Sequence, residues 1–189
     1  TGKYLLPEDS LGRSVPWGLV KGNGGSRKTI ILTGHYDVVD TEEYGNERAL
    51  AYDVEKWENL VKSGNVLPGM PDEVKEDFLS GDWMFGRGTA DMKGGLSVGL
   101  VLLDWYGKIV AEAEGKASSV AVSEAEVASE LGDASGISGN LLFVTVPDEE
   151  GYSAGMRGAV PFLNEVKERF DLEYTALIDL EPASMENGA

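Results

Sequence analysis

One imidazole and a handful of carboxylates are the side chains of this sequence that could do chemistry. His35 is the single histidine of the chain, and Asp37 follows it two positions later in the stretch TIILTGHYDVVD. Residues i and i+2 of an extended strand face the same way, so Asp37 can stand beside the ring and accept a hydrogen bond from one of its nitrogens. Further along come Asp91 in GRGTADMKGGL, the pair Glu149 and Glu150 after NLLFVTVPD, and Asp179 and Glu181 at the end of YTALIDLEP. One imidazole with several carboxylates, and no cysteine, is the ligand chemistry of a divalent transition metal, and zinc is the commonest such ion in hydrolases. A pair of metals about 3.5–4 Å apart needs a shared carboxylate, and an adjacent acid that is not a ligand can take a proton from the water between them. Consecutive glutamates can divide those roles, because neighbours on an extended chain point in different directions.

Taken singly, each of these residues has a plainer reading. His35 and Asp37 could be a core imidazole and a solvated acid, Glu149 and Glu150 a stretch of charged surface, and Asp91 a turn residue in a glycine loop. What argues for a site is that each acid falls directly after an apolar strand or a tight loop. Those elements can be laid out in order. Residues 1 to 28 predict a lead-in strand and a turn at KGNGGSRK, and the β-branched run Thr29 to Thr33 predicts a buried strand broken by Gly34. From Thr41 to Asp82 the chain reads as a long polar surface excursion with short helices at Val54 to Lys62 and Asp72 to Leu79. The glycines around Asp91 predict a loop feeding a buried helix through Leu96, Leu100 and Leu103. An amphipathic helix around Ser123 to Leu131 is expected inside the Ala, Ser, Glu and Gly-rich connection of residues 111 to 139. A strand at Asn140 to Val146, a helix from about Gly158 to Phe170 with Pro161 in its first turn, and a strand at Tyr174 to Leu180 complete the pattern. This alternation predicts an α/β domain with a mostly parallel or mixed twisted sheet flanked by helices, whose ligands gather outside the carboxyl ends of the strands.

Composition narrows the partners. With 189 residues, 42% of them hydrophobic and 26% charged, the chain has the makings of one soluble domain. Its 33 acids against 16 bases give a net charge of −17, which repels a phosphate backbone and an anionic membrane surface alike. Neither nucleic acid nor membrane is therefore expected as a partner. The apolar stretch Leu96 to Leu103 stops at Asp104, the N-terminal TGKYLLPEDS lacks the apolar core of a signal peptide, and a cytoplasmic location is expected.

The segments GHYDVV, GRGTADMKGGL, VPDEEG and LEPAS occur in that order between residues 34 and 184. Together they resemble the signature of the zinc-dependent exopeptidase and deacylase family that includes carboxypeptidase G, aminoacylase and succinyl-diaminopimelate desuccinylase. Within it, AYDVEKWENL and GDWMFGRG ahead of the aspartate resemble the branch of arginine-utilisation proteins, which are predicted deacylases. The resemblance implies hydrolysis of an amide bond in a small peptide or N-acyl amino acid, with two Zn2+ per complete site and cobalt or manganese as substitutes. By the same resemblance His35 binds the first metal, Asp37 orients its ring, Asp91 bridges the two metals and joins Met92 through a cis peptide. Glu149 is the general base, Glu150 ligates the second metal, and Glu181 completes the first, with Asp179 as its alternative on the same strand.

The chain also departs from the family pattern. The second metal of the family takes a histidine from the C-terminal catalytic segment, beyond an inserted lid and dimerisation domain, and this chain has no second histidine. The expectation is that residues 1–189 are the N-terminal part of a catalytic domain, inactive alone, with a homodimer belonging to the full-length protein. Spacings from Asp37 to Asp91 and from Met92 to Glu149 exceed the family's usual ones by roughly a helix and loop each. The rival reading is a non-catalytic metal-binding or interaction domain on the same scaffold. A nucleotide-binding reading of GRGTADMKGG lacks both the G-x-G-x-x-G and the P-loop patterns.

Overall fold

The computed structural model describes residues 1–64, 69–114 and 138–182. Its organising strand is β3 (Lys28–His35), whose residues from Ile31 to His35 are all buried. Such a run needs cover on both faces and hydrogen-bonded neighbours on both sides. It has them: β4 (Asn140–Val146) and β5 (Glu173–Asp179) flank β3 in parallel, with His35 opposite Val146 and Thr33 opposite Asp179. On the far side of β4 the antiparallel β2 (Ser14–Lys21) and β1 (Gly2–Leu5) complete a mixed five-stranded sheet of order β1-β2-β4-β3-β5. The fold is α/β, as expected, and the three parallel strands end on one edge.

Side chains alternate between two faces. Ile31, Leu142, Val144 and Val146 join Phe162 and Val166 of helix α4 (Ala154–Arg169), while Leu32 and Phe143 meet Met92 and Leu96 on the other face. Burying each of these large side chains contributes about 1.5–3 kcal/mol, which is what ties the helices to the sheet. Helix α3 (Gly95–Ala113) covers the second face, but only Leu96, Gly99 and Val110 of it are buried. Leu100, expected inside, is 55% exposed. Gly99 takes the inward place instead, because the helix sits so close that a methyl there would meet the Phe143 ring at 2.4 Å.

Three more expectations need correction. Helix α4 begins at Ala154 rather than near Gly158, since the Asp148 carboxylate accepts the Ala154 N–H at 3.1 Å and caps a first turn that periodicity does not reveal. Pro161 therefore lies inside the helix. The excursion after Thr41 is also more than surface. A 3-10 helix (Glu42–Leu50), α1 (Val54–Ser63) and α2 (Asp72–Ser80) enclose their own aromatic cluster, with Phe78 fully buried and Trp57 nearly so against Phe85 and Tyr44. Finally, the helical run Thr89–Ala113 is long and apolar enough, by length and composition, to cross a membrane. Its backbone leaves helical geometry at Asp91 and Met92, and its buried residues pack on the sheet. The helix expected around Ser123 to Leu131 lies outside the described residues.

Close approach of α3 to the end of β5 positions the site. A methyl on Gly95 would stand 2.0 Å from the Leu180 carbonyl oxygen, so glycine there lets the helix start press against the strand end. Gly95→Ala is expected to lower the unfolding free energy in urea by ~1–3 kcal/mol. A wild-type urea midpoint in this variant would show that α3 and β5 are not so pressed.

Candidate metal centre

His35 is the last residue of β3 and is 1% exposed. Gly34 before it has no side chain, which leaves room for Met92: a methyl on Gly34 would be 2.3 Å from the Met92 terminal carbon. Met92 is fully buried, and its sulfur accepts the His35 backbone N–H at 3.0 Å. Packing thus fixes the backbone of His35 before its ring is considered. The peptide bond between Asp91 and Met92 is cis, as the family resemblance implies.

The two ring nitrogens have different partners. Nδ1 lies 3.0 Å from the backbone carbonyl oxygen of Asp37, an acceptor only, so Nδ1 carries the hydrogen. Nε2 faces Asp91 Oδ1 at 3.0 Å and Glu181 Oε1 at 3.1 Å. Among the described residues, His35, Asp91 and Glu181 form a group whose ligand atoms all lie within 4.8 Å of one another. Each acid arrives from a different element. Asp91 comes from the glycine loop ahead of α3, whereas Glu181 follows β5, whose strand end is carried on by Leu180 N–H donating to the Thr33 carbonyl at 3.0 Å. Asp179 on β5 is an electrostatic neighbour of Glu181.

Asp37 does more than stand beside the ring. Its carboxylate is 3.5 Å from Nδ1, and both oxygens are committed elsewhere: Oδ1 accepts the Glu149 N–H and Oδ2 the Glu150 N–H, each at 3.1 Å. Ring orientation therefore falls to the Asp37 carbonyl, and the side chain holds the acid turn after β4. That turn has a second support. Asp148, at a left-handed φ of 62°, gives one oxygen to the Ala154 N–H and the other to Arg13 Nη1 at 2.9 Å. Arg13 and the α4 cap hold the Asp148 carboxyl below its usual pKa. Neither Arg13 nor Met92 was singled out by spacing. For Met92 the signal was present, in a glycine of a buried strand that must receive a bulky neighbour. A cleft of ≈ 380 Å³ lined by Arg13, Tyr36, Asp37, Asp40, Asp148 and Glu150, among others, opens beside the acids.

Electrostatics set the character of the centre. Burial pulls the His35 imidazole toward neutrality, but the Glu181 and Asp37 carboxylates and the Asp91 contact outweigh it and leave its pKa above the ordinary value. Glu150 and Glu181 are both raised, first by burial and then by repulsion from Asp91 among other acids. Glu149 adds to the repulsion on each. His35 and these five carboxylates thus share a region of excess negative charge that favours any cation.

A pH dependence follows for the metal-free protein. A raised histidine contributes stability that is full below its ordinary value of 6.5 and is lost as pH climbs through the higher folded value. Raised carboxyls act in the same direction from their ordinary value of 4.5 upward. In a chelator, the thermal midpoint is expected to fall as pH rises past 6.5, and His35→Asn should flatten that upper part of the fall. A midpoint that rose over this range would contradict the charge balance described.

Comparison with known proteins adds two relatives. The chain is 37% identical over 179 residues to "Uncharacterized protein YqjN" of Bacillus subtilis (strain 168), covering 94% of this chain and 27% of that protein. It is 30% identical over 179 residues to "Protein RocB" of the same organism, covering 95% of this chain and 27% of that protein. The chain thus spans about a quarter of the length of the curated relatives it matches. No family model matches it.

Proposed function

We propose that this chain carries the first metal site, and the general base, of a zinc-dependent amidohydrolase acting on a small peptide or N-acyl amino acid. The observation that carries the reading is the hydrogen-bond mismatch at His35. With Nδ1–H given to the Asp37 carbonyl, a neutral ring turns the lone pair of Nε2 toward two carboxylate oxygens that are acceptors themselves. Three acceptors converging favour a cation among them, either a proton on the ring or a metal ion, the two carboxylates being open to solvent and the ring buried. One imidazole nitrogen and two carboxylates, with the other ring nitrogen held by a carbonyl, fit a zinc ion.

A divalent ion held there supplies positive charge that polarises a carbonyl and makes water more acidic. The remaining tasks belong to the chain. His35, Asp91 and Glu181 hold the ion, and Asp91, half-exposed, also faces outward to serve a second one together with Glu150. Glu149, fixed through its backbone by Asp37, takes a proton from the attacking water and returns it to the departing amine. The cleft beside Asp37 and Glu150 receives the substrate. Zinc as the metal, the cytoplasm as the location, and residues 1–189 as the N-terminal part of a larger catalytic domain belong to the same reading. A role in arginine utilisation is supported by the likeness to Protein RocB together with the motif resemblance.

Calorimetric titration of the chain with Zn2+ tests this. The expected result is one dominant site whose heat disappears in His35→Ala and weakens by more than about tenfold in Glu181→Gln, whereas Glu149→Gln keeps it. Equal zinc affinity in wild type and His35→Ala would remove the site.

A further inference from the structure

We propose that Arg13 is a positioning residue for the turn that presents Glu149 and Glu150. The turn hangs from two backbone N–H groups on the Asp37 carboxylate. Within its own stretch of chain the turn is tied by Ser153 Oγ donating to the Glu149 carbonyl at 3.3 Å and by the Ala154 N–H on Asp148, and a tie from a different element on the opposite flank fixes its direction. Asp148 provides the attachment point, and Arg13 provides the anchor, through Nη1 donating to Asp148 Oδ1 at 2.9 Å.

Arg13 can do this because it is itself held. Its Nε and Nη2 donate to Asp9 Oδ1 at 3.0 and 2.7 Å, its backbone N–H also binds the Asp9 carboxylate, and its carbonyl accepts the Leu6 N–H at 3.1 Å. The planar guanidinium thus bridges two carboxylates in a fixed fork, which a lysine ammonium cannot reproduce. The neighbour of Arg13, Ser14 at the start of β2, anchors the other half of the site. Tyr36, next to His35, donates its hydroxyl to the Ser14 carbonyl at 2.8 Å. The segment from Asp9 to the start of β2 therefore ties together the end of β3 and the turn after β4, although Arg13 and Asp148 stand 135 positions apart in the sequence. Arg13 also lines the cleft beside Asp37 and Glu150, and with two acids already on its guanidinium it is placed there to hold the turn.

The functional meaning of this placement rests on the roles given above to Glu149 and Glu150. The structural claim can be tested without them, by amide hydrogen exchange on the whole 189-residue chain in the absence of metal. In Arg13→Met the Glu149 and Glu150 amides are expected to exchange at least about tenfold faster, with the Phe143 and Val144 amides of β4 within about threefold of wild type. Arg13→Lys should restore part of the protection. Asp9→Asn, which loosens the guanidinium and keeps it, should give the same pattern more weakly, and serves if Arg13→Met does not fold. Unchanged exchange at Glu149 and Glu150, or equal acceleration at β4, would overturn the proposal, the latter by reducing Arg13 to general stability. If zinc binds at His35 and these amides ignore Arg13, the metal reading stands and this one falls. If zinc does not bind, the exchange pattern still decides where Arg13 acts.

Discussion

Everything at the end of this sheet depends on an acceptor crowd around one nitrogen. Asp91 Oδ1 and Glu181 Oε1 stand 3.0 and 3.1 Å from Nε2 of a buried imidazole, and a neutral ring offers them no donor once Nδ1 has given its hydrogen to the Asp37 carbonyl. Only the imidazole of this group is buried; Asp91 and Glu181 are exposed, and positive charge entering between them relieves their mutual repulsion. In the metal-free chain a proton is the available charge, which is why the acids raise the His35 pKa in spite of burial. A metal ion would take over that role.

Holding three acceptors together requires rigid elements, and the fold supplies them through parallel strand ends. β3 and β5 run side by side, so Glu181 beyond one strand reaches His35 at the end of the other. β4, on the opposite flank of β3, delivers Glu149 and Glu150 to the same edge. Small residues close the remaining gaps. Gly34 admits Met92 beneath the histidine, and Gly95 lets α3, with the Asp91 loop ahead of it, press on the end of β5. Asp37 then joins two strands, its carbonyl serving the ring of one and its carboxylate the acid turn of the other.

Much of this was legible in the sequence, for physical reasons that also mark the limits. The β-branched and apolar runs ending in His35 and Val146 announce buried parallel strands, and the short helix expected at Val54 to Lys62 is present as α1. Periodicity failed at Leu100, because it counts apolar residues and cannot know that Gly99 is what a close helix needs. It failed again at Ala154, where the helix start depends on a cap from Asp148 six residues upstream. Trp57 and Phe78 look like surface in the sequence because acids and lysines precede or flank each of them, yet both are buried. As for the site, acids after strand ends pointed to the group around His35. The carbonyl partner of Nδ1 and the Arg13 anchor lie in backbone geometry and in long-range contacts that no spacing encodes.

The single histidine offers a direct measurement, since every imidazole nitrogen signal comes from His35. Nitrogen-15 NMR of the ring, recorded as Zn2+ is added near neutral pH, follows each nitrogen separately. The account predicts that Nδ1 keeps its hydrogen throughout while Nε2 moves to the shift of a metal-ligated nitrogen. Spectra that do not respond to zinc, or that place the metal on Nδ1, would contradict it.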